Sequence, residues 1–579
     1  SLGDDMEMRS RTDVPMGAMW TYANSPEPDP SYVSDLRGAA SVAHIYGQNL
    51  VGAESMTSRG PAWSFSPNNL KKVADLEFAL GVNRFEIHES THQPVADMAP
   101  GLTLGPFGLW FNRNETWADE AAPWVTYLAR CSYLLQRGHY SADVAYFYGE
   151  EGPLTAVFGW KAIEDAPDGY GFDFVNSDVV LHELTVKDGK LVTPGGTSYR
   201  VLYLGGRSQR MTLPVLRQIK NLVEQGAVLV GNRPVDSPSL ADDEREFQRI
   251  ADRLWGQRAE DQFWGLRIAD QLRGKKAEAG AAERKVGMGS VFAGMTANEA
   301  LAKLSAARDW EYTKPEPDTT LMFLHRKLDD GDLYFVDNRV DRAENVDATF
   351  RVEGKTPELW DPATGKTQPA SYRIADGRTT VSLDLDPYGT TFVVFRTPAE
   401  AATRQLTEPA ETAVAGLDDA LNQNWHVSFQ AGRGAPESAE FDRLTSWSES
   451  ADAGIKYFSG TATYSKTIDL PASALAPGAH VGLDLGDVRD LAEVAVNGKY
   501  LGILWKRPFR IDLTGVLLPG SNQLVIQVTN LWVNRMIGDQ QPWAVKKYTF
   551  TDFAPYKADS PLLPSGLLGP VRLVSAGAQ

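Results

Sequence analysis

SDLRGAASVAHIYGQNLVGAESMTS, residues 34–58, reads as a helix, a glycine stop and a short apolar strand that ends on an acid. Ser34 is the expected N-cap, the Ala/Leu/Val spacing from Leu36 to Ile45 is helical, and Gly47 terminates the helix. The strand Leu50-Val51-Gly52-Ala53 then closes at Glu54. Outward from here the pattern repeats: a helix over 68–80 closing at Gly81, then a strand over 82–87 ending at His88. A Pro/Gly-rich loop covers 89–114, a third helix spans about 117–136, and a strand at 143–148 follows. Strands alternating with helices imply parallel pairing through right-handed crossovers. Glu54 and the His88-Glu89 pair then stand at strand ends, where a (β/α)8 barrel gathers its active site. About half of the eight repeats fit, so residues 1–148 read as the C-terminal half of such a catalytic barrel, without its first half.

Residues 149–310 read as a flavodoxin-like α/β accessory domain, with a strand at 200–204, a tight turn at Gly205-Gly206 and a helix over 213–226. No G-x-G-x-x-G or Walker pattern accompanies that turn, which argues against a phosphate loop. Alternating strands over 311–400 indicate a small β-sandwich, and a linker rich in Ala, Thr, Glu and Pro runs from 398 to 415. Residues 416–579 are again all-β, with a hairpin expected at Asn497-Gly498 because both turn positions favour φ > 0. The expected class is therefore multidomain α/β plus all-β.

Composition narrows the function. The chain has 579 residues, 42% hydrophobic and 23% charged, which is globular. Its formal charge of −18, without a Lys/Arg tract, argues against nucleic acid as a partner. No run of about 18 apolar residues suggests a membrane span. Cys131 is the single cysteine, so no disulfide framework or Cys-based zinc cluster is available. The opening SLGDDMEMRSR has neither an initiator Met nor signal-peptide features, reads like mid-sequence, and leaves the compartment open.

Glu54 is the first candidate for chemistry, because an acid at the end of a buried strand needs partners or a use. Ser55 or Arg59 could equally anchor it as a structural carboxylate. The second cluster is FEIHESTHQP: Glu89 is a candidate second carboxylate, while His88 and His92 suit hydrogen bonding to sugar hydroxyls. Glu86 shares a strand face with His88 and could instead pair with Arg84. A third constellation, Trp110, Asn112, Arg113 and Trp117, has the composition of a sugar-binding lip, with Asn114 or Thr116 as alternative helix caps. In the last domain Asn534 and Arg535 could contact substrate, although a role in docking that domain is the preferred reading.

RTDVPMGAMW, AHIYGQNLVGAESMTS, IHESTHQP, GLTLGPFGLWFNRNETW, YLARCSYLLQRGHYSADVAYFYGE and LWVNRMIGD together resemble the α-L-rhamnosidases of glycoside hydrolase family 106. The resemblance implies a decorated (β/α)8 barrel, β-rich accessory domains and an inverting glycosidase releasing rhamnose from a rhamnose-containing glycan or glycoside, with calcium assisting. It places Glu54 in the catalytic pair or beside it, and a general acid upstream of Ser1. The missing half of the barrel is then a partner of this chain. LDLGDVRDLAEVAVNGKYLG is similar to the sugar-binding jelly roll of family 2 glycosidases. The alternatives are a family 2/42-like galactosidase, against which stands the lack of an Asn-Glu pair at a strand end, and a non-catalytic carbohydrate-binding protein.

Overall fold

The computed structural model describes residues 3–576 except 23–26, 59–60, 108–110, 160, 258–281, 408–410, 472–474 and 476–479. Its architecture is mixed α/β with many β-sheets. Three parallel strands form the first sheet, β1 (Met16–Trp20), β2 (Gly52–Thr57) and β3 (Arg84–Ile87), with β2 in the centre. The connections run through helices α1 (Pro30–Tyr46) and α2 (Pro67–Ala79). Helix α1 begins earlier than expected: Asp29 is the cap and accepts from the Ser31 amide at 2.9 Å. Pro30 sits in the first turn, where its missing N–H is no loss, and Ser34 is buried inside the helix. Gly47 ends the helix in the left-handed region, φ 76. Strand β2 runs on to Thr57, so Glu54 is third in a six-residue strand and not its terminus.

Small residues let α1 serve two cores. Leu36, Ala39 and Ala43 pack against the first sheet, while Val42 and Ile45 join the core of the next unit. Burial on two sides explains why the helix lacks a single apolar stripe. Val144–Phe147, expected to extend the first unit, lies instead between Phe172–Val175 and Val201–Leu204 in a six-stranded sheet. All four of its residues are buried, as in a strand covered on both faces. The five parallel strands of this sheet run in the order second, first, third, fourth, fifth, which is a doubly wound arrangement. Ala282–Val286 adds an antiparallel edge.

Two all-β units follow. One pairs five- and six-stranded sheets around Tyr334, Phe350 and Phe395. The other pairs six- and four-stranded sheets around Trp425, Trp447 and Tyr464. The Asn497-Gly498 turn has φ 53 and 75, the geometry its sequence favours.

Both units fold back onto the first. Lys71 on α2 donates to Asp75 at 2.6 Å and to the Tyr388 carbonyl at 2.8 Å. Trp505 packs against Trp124 and Tyr127 of α3 (Ala122–Leu135) with ring centroids 5.3 Å apart. Phe550–Thr551 pairs in parallel with Pro100–Gly101 inside the long loop that follows β3. Among the described residues no helix is long and apolar enough to cross a membrane.

Candidate functional site

Glu54 occupies the centre of the first sheet, level with Ala18 on β1 and Glu86 on β3. In parallel pairing, residues at one level share a face, so Glu54 and Glu86 project side by side. Ser55 points the other way, and its hydroxyl donates to Glu77 Oε2 of α2 at 2.6 Å. Glu54 is exposed and makes no ion pair among the described residues. Its partner is Thr57, whose hydroxyl donates to Oε1 at 2.9 Å. Simple alternation would put Thr57 on the opposite face. Met19 pairs with Ser55 and Trp20 with Thr57, leaving Met56 as an inserted residue at φ 67. This bulge turns Thr57 back toward Glu54. Arg59, the alternative anchor, lies outside the described residues.

Glu86 pairs with Arg84 at 2.8 Å. His88 is half-buried, and its amide donates to the Ser55 carbonyl at 3.0 Å, extending the sheet past β3. Its Nε2 stands 4.0 Å from Glu89 Oε2, while the Thr91 hydroxyl donates to Glu89 Oε1 at 2.9 Å. His92 is exposed. Among the described residues no three His, Cys, Asp or Glu side chains gather to hold a metal ion.

The expected lip is chiefly a brace. Arg113 Nη2 donates to the carbonyls of Gln93 at 2.6 Å and Val95 at 3.2 Å, and Asn112 Oδ1 accepts from the Asn114 amide at 2.8 Å. Trp117 is 1% exposed, so its ring faces are filled by core contacts and offer no stacking platform. The reason is local: α3 starts at Ala122, and the preceding turns fold Trp117 inward beside Phe111. Trp110 lies outside the described residues.

Asn534 and Arg535 are buried within the last unit. Asn534 Nδ2 donates to the Leu563 carbonyl and to Ser565 Oγ, each at 2.8 Å, and Arg535 pairs with Asp539 at 3.0 Å. These bonds hold a short helix whose neighbour Trp532 donates to the Asn114 carbonyl at 2.8 Å and packs with Trp63 of the loop after β2. Segment 532–536 thus docks the unit, and its Asn and Arg side chains are spent internally.

Two acids escaped sequence reasoning. Glu77 is wholly buried beneath β2, and Glu115 is 5% exposed without a bond to either carboxyl oxygen. Burial pushes both well above the usual carboxylate range. Glu77 sits within a helix and Glu115 within the segment read as a lip, and no pattern in the sequence marks either as a buried acid.

The sequence profile of the glycoside hydrolase 106 family, described as α-L-rhamnosidase, matches residues 1–374. Among solved structures, a rhamnosidase from Novosphingobium sp. PP1Y is 45% identical with a TM-score of 0.90, covering 99% of this chain and 52% of that one. A protein of Formosa agariphila, provisionally named a β-glucuronidase, is 26% identical over 98% of this chain and 66% of its own length. The chain therefore spans about half the length of the solved rhamnosidase it matches.

Proposed function

Because the chain belongs to the glycoside hydrolase 106 family, we propose that the protein releases terminal α-L-rhamnose from rhamnose-containing glycans or glycosides. The carrying observation is Glu54: an exposed carboxylate in the middle of a parallel sheet, free of ion pairs among the described residues and held by one hydroxyl. An inverting reaction needs a base to take a proton from water as it attacks the anomeric carbon, and an acid to protonate the departing oxygen. Glu54 is the base in this reading. Glu89, steadied by Thr91 and His88, is this chain's candidate for the second carboxyl group. His88 and His92 are the candidate donors to sugar hydroxyls.

The three parallel strands with helical crossovers support reading this unit as part of a (β/α)8 barrel, and the paired antiparallel sheets at 412–576 support a jelly roll. For calcium, which the resemblance implies, no group of three of this chain's acidic or histidine side chains gathers among the described residues.

The test is release of rhamnose from an aryl α-L-rhamnoside by the full-length protein, with the first-formed anomer followed by NMR. Binding without product rejects the hydrolase reading. First release of α-rhamnose rejects inversion.

A further inference from the structure

The register of the first sheet puts a further side chain on the face of Glu54. Ala18 on β1 is level with Glu54, and Trp20 comes two positions later, so Trp20 stands on that same face. Its partner across the sheet is Thr57, the residue whose hydroxyl holds Glu54. Met19, between Ala18 and Trp20, points the other way and is fully buried in the core with Leu36. Trp20 is half-buried. Ala18 contributes only a methyl group, so Trp20 is the bulky group that β1 presents toward the loop end of this face.

Two aromatic rings meet the Trp20 indole. Tyr32, from the first turn of α1, stacks on it at 6.1 Å between centroids, and Phe107 meets it edge-on at 5.7 Å. Phe107 belongs to the loop leaving β3, whereas Trp20 ends β1, on the far side of β2. The loop therefore reaches across the end of the strand that carries Glu54. Its tip is a defined turn: Leu104 pairs with Phe107, Gly105 takes φ 62, and the Gly105 amide donates to Thr103 Oγ1 at 3.2 Å. The Thr103 amide in turn donates to Asp552 at 2.9 Å, so the last unit anchors the turn that positions Phe107. The other groups of this face, Glu54, Thr57, Glu86 and His88, stand on β2 and β3 and beyond. The face is thus divided, apolar toward β1 and polar toward β2 and β3.

A terminal α-L-rhamnose is divided in the same way: its ring hydroxyls lie to one side, and its C5 carries a methyl where L-mannose carries a hydroxymethyl. We propose that Trp20 and Phe107 form the seat of that methyl group and select a 6-deoxy sugar over its 6-hydroxyl counterpart. The methyl gains by leaving water for aromatic rings. A hydroxyl pressed against the same ring faces loses its hydration and finds no acceptor in return.

The inference rests on the rhamnosidase reading, and a pair of substrates separates the two. The full-length protein is assayed on an aryl α-L-rhamnoside and on the α-L-mannoside of the same aglycone, which differ only in one hydroxyl. The rhamnoside is expected to lead in kcat/KM by about 10²-fold, the usual reach of an apolar pocket facing one added hydroxyl. Trp20→Ala and Phe107→Ala should each lower that ratio by about tenfold, and Trp20→Phe and Phe107→Leu, which keep an apolar wall, should hold most of it. Both substrates are read on one preparation, so incomplete folding of a variant leaves the ratio unchanged. Equal rates on the two glycosides in the unmodified protein overturn the seat and leave the rhamnosidase reading standing. An unmodified ratio in both alanine variants overturns the seat as well. If the unmodified protein hydrolyses neither glycoside, the rhamnosidase reading fails. Calorimetry with L-rhamnose and L-mannose then decides: the seat stands if rhamnose binds more tightly and Phe107→Ala removes the difference, and falls otherwise. The same binding comparison replaces turnover for any inactive variant.

Discussion

Thr57 reaches Glu54 across a bulge: its hydroxyl donates 2.9 Å to Oε1, although the two residues lie three apart in one strand. The extra residue, Met56, takes φ 67 with its side chain fully buried, so the core holds the bulge in place. The bulge therefore aims the one group that orients the candidate base.

Glu54→Gln is expected to lower rhamnoside turnover by about 10²–10⁴, the usual contribution of a general base. Its exposure means folding should be unaffected. Steady-state kinetics alongside thermal melts check both halves, and wild-type turnover would remove Glu54 from the mechanism.

Thr57→Val keeps the shape of a buried side chain and removes only the hydroxyl. A bond to a carboxylate is worth about tenfold in rate if the oriented carboxylate is what reacts. The loss should fall on kcat, with KM little changed.

Burial raises the pKa of Glu77 in the fold well above the value of 4.5 at which it ionises in the unfolded chain. The folded state thus holds a proton that the unfolded state releases. The stability from this group is full below the unfolded value and is lost as pH rises toward the folded one. Glu77→Gln preserves an acceptor for Ser55 and should flatten the slope. Urea unfolding at pH 5 and pH 8 reads the difference, and parallel slopes in both proteins would contradict it.

Asp490 shows the same sign where the last unit meets α2. Its carboxyl, hydrogen-bonded with Ser66, is pushed up to about 7 by desolvation. Between about pH 4 and 7 the folded form therefore binds the extra proton, and stability from this contact declines as pH rises through 7. Asp490→Asn should remove that decline, seen as a smaller change in melting temperature between pH 5.5 and 8.

Trp532 links the last unit to the first through its ring and its N–H. Trp532→Ala should cost about 3–5 kcal/mol by leaving a cavity against Trp63. Trp532→Phe keeps most of the ring and loses the bond to Asn114, costing about 1 kcal/mol. Denaturant unfolding measures both, and equal losses would show that the bond, not the packing, docks the unit.

Much of the first unit was legible because its signals are local. Gly47 and Gly81 stop helices wherever the chain needs positive φ, and both do so here. Asn497-Gly498 turned as its backbone preference requires. The family likeness was carried by ordered segments that need no structure to read. Strand membership was not legible: Val144–Phe147 is an apolar run that any buried parallel sheet accepts, and only its neighbours assign it. Trp117 misled for a related reason, since an aromatic beside polar residues looks the same in a lip and in a core.

The sequence by itself determined the order of helices and strands, the acidic character of the chain and the presence of Glu54 on an apolar strand, because each depends on residues within a few positions of one another. Tertiary structure decided which polar groups are free. Arg113 and Asn534 are spent on backbone partners 18 to 29 positions away and Arg535 on Asp539 within its own short helix, whereas Glu54 forms no ion pair among the described residues. The physical reason is that a side chain's availability is set by desolvation and by the partners that folding brings to it, and neither is written in the chemical character of its immediate neighbours.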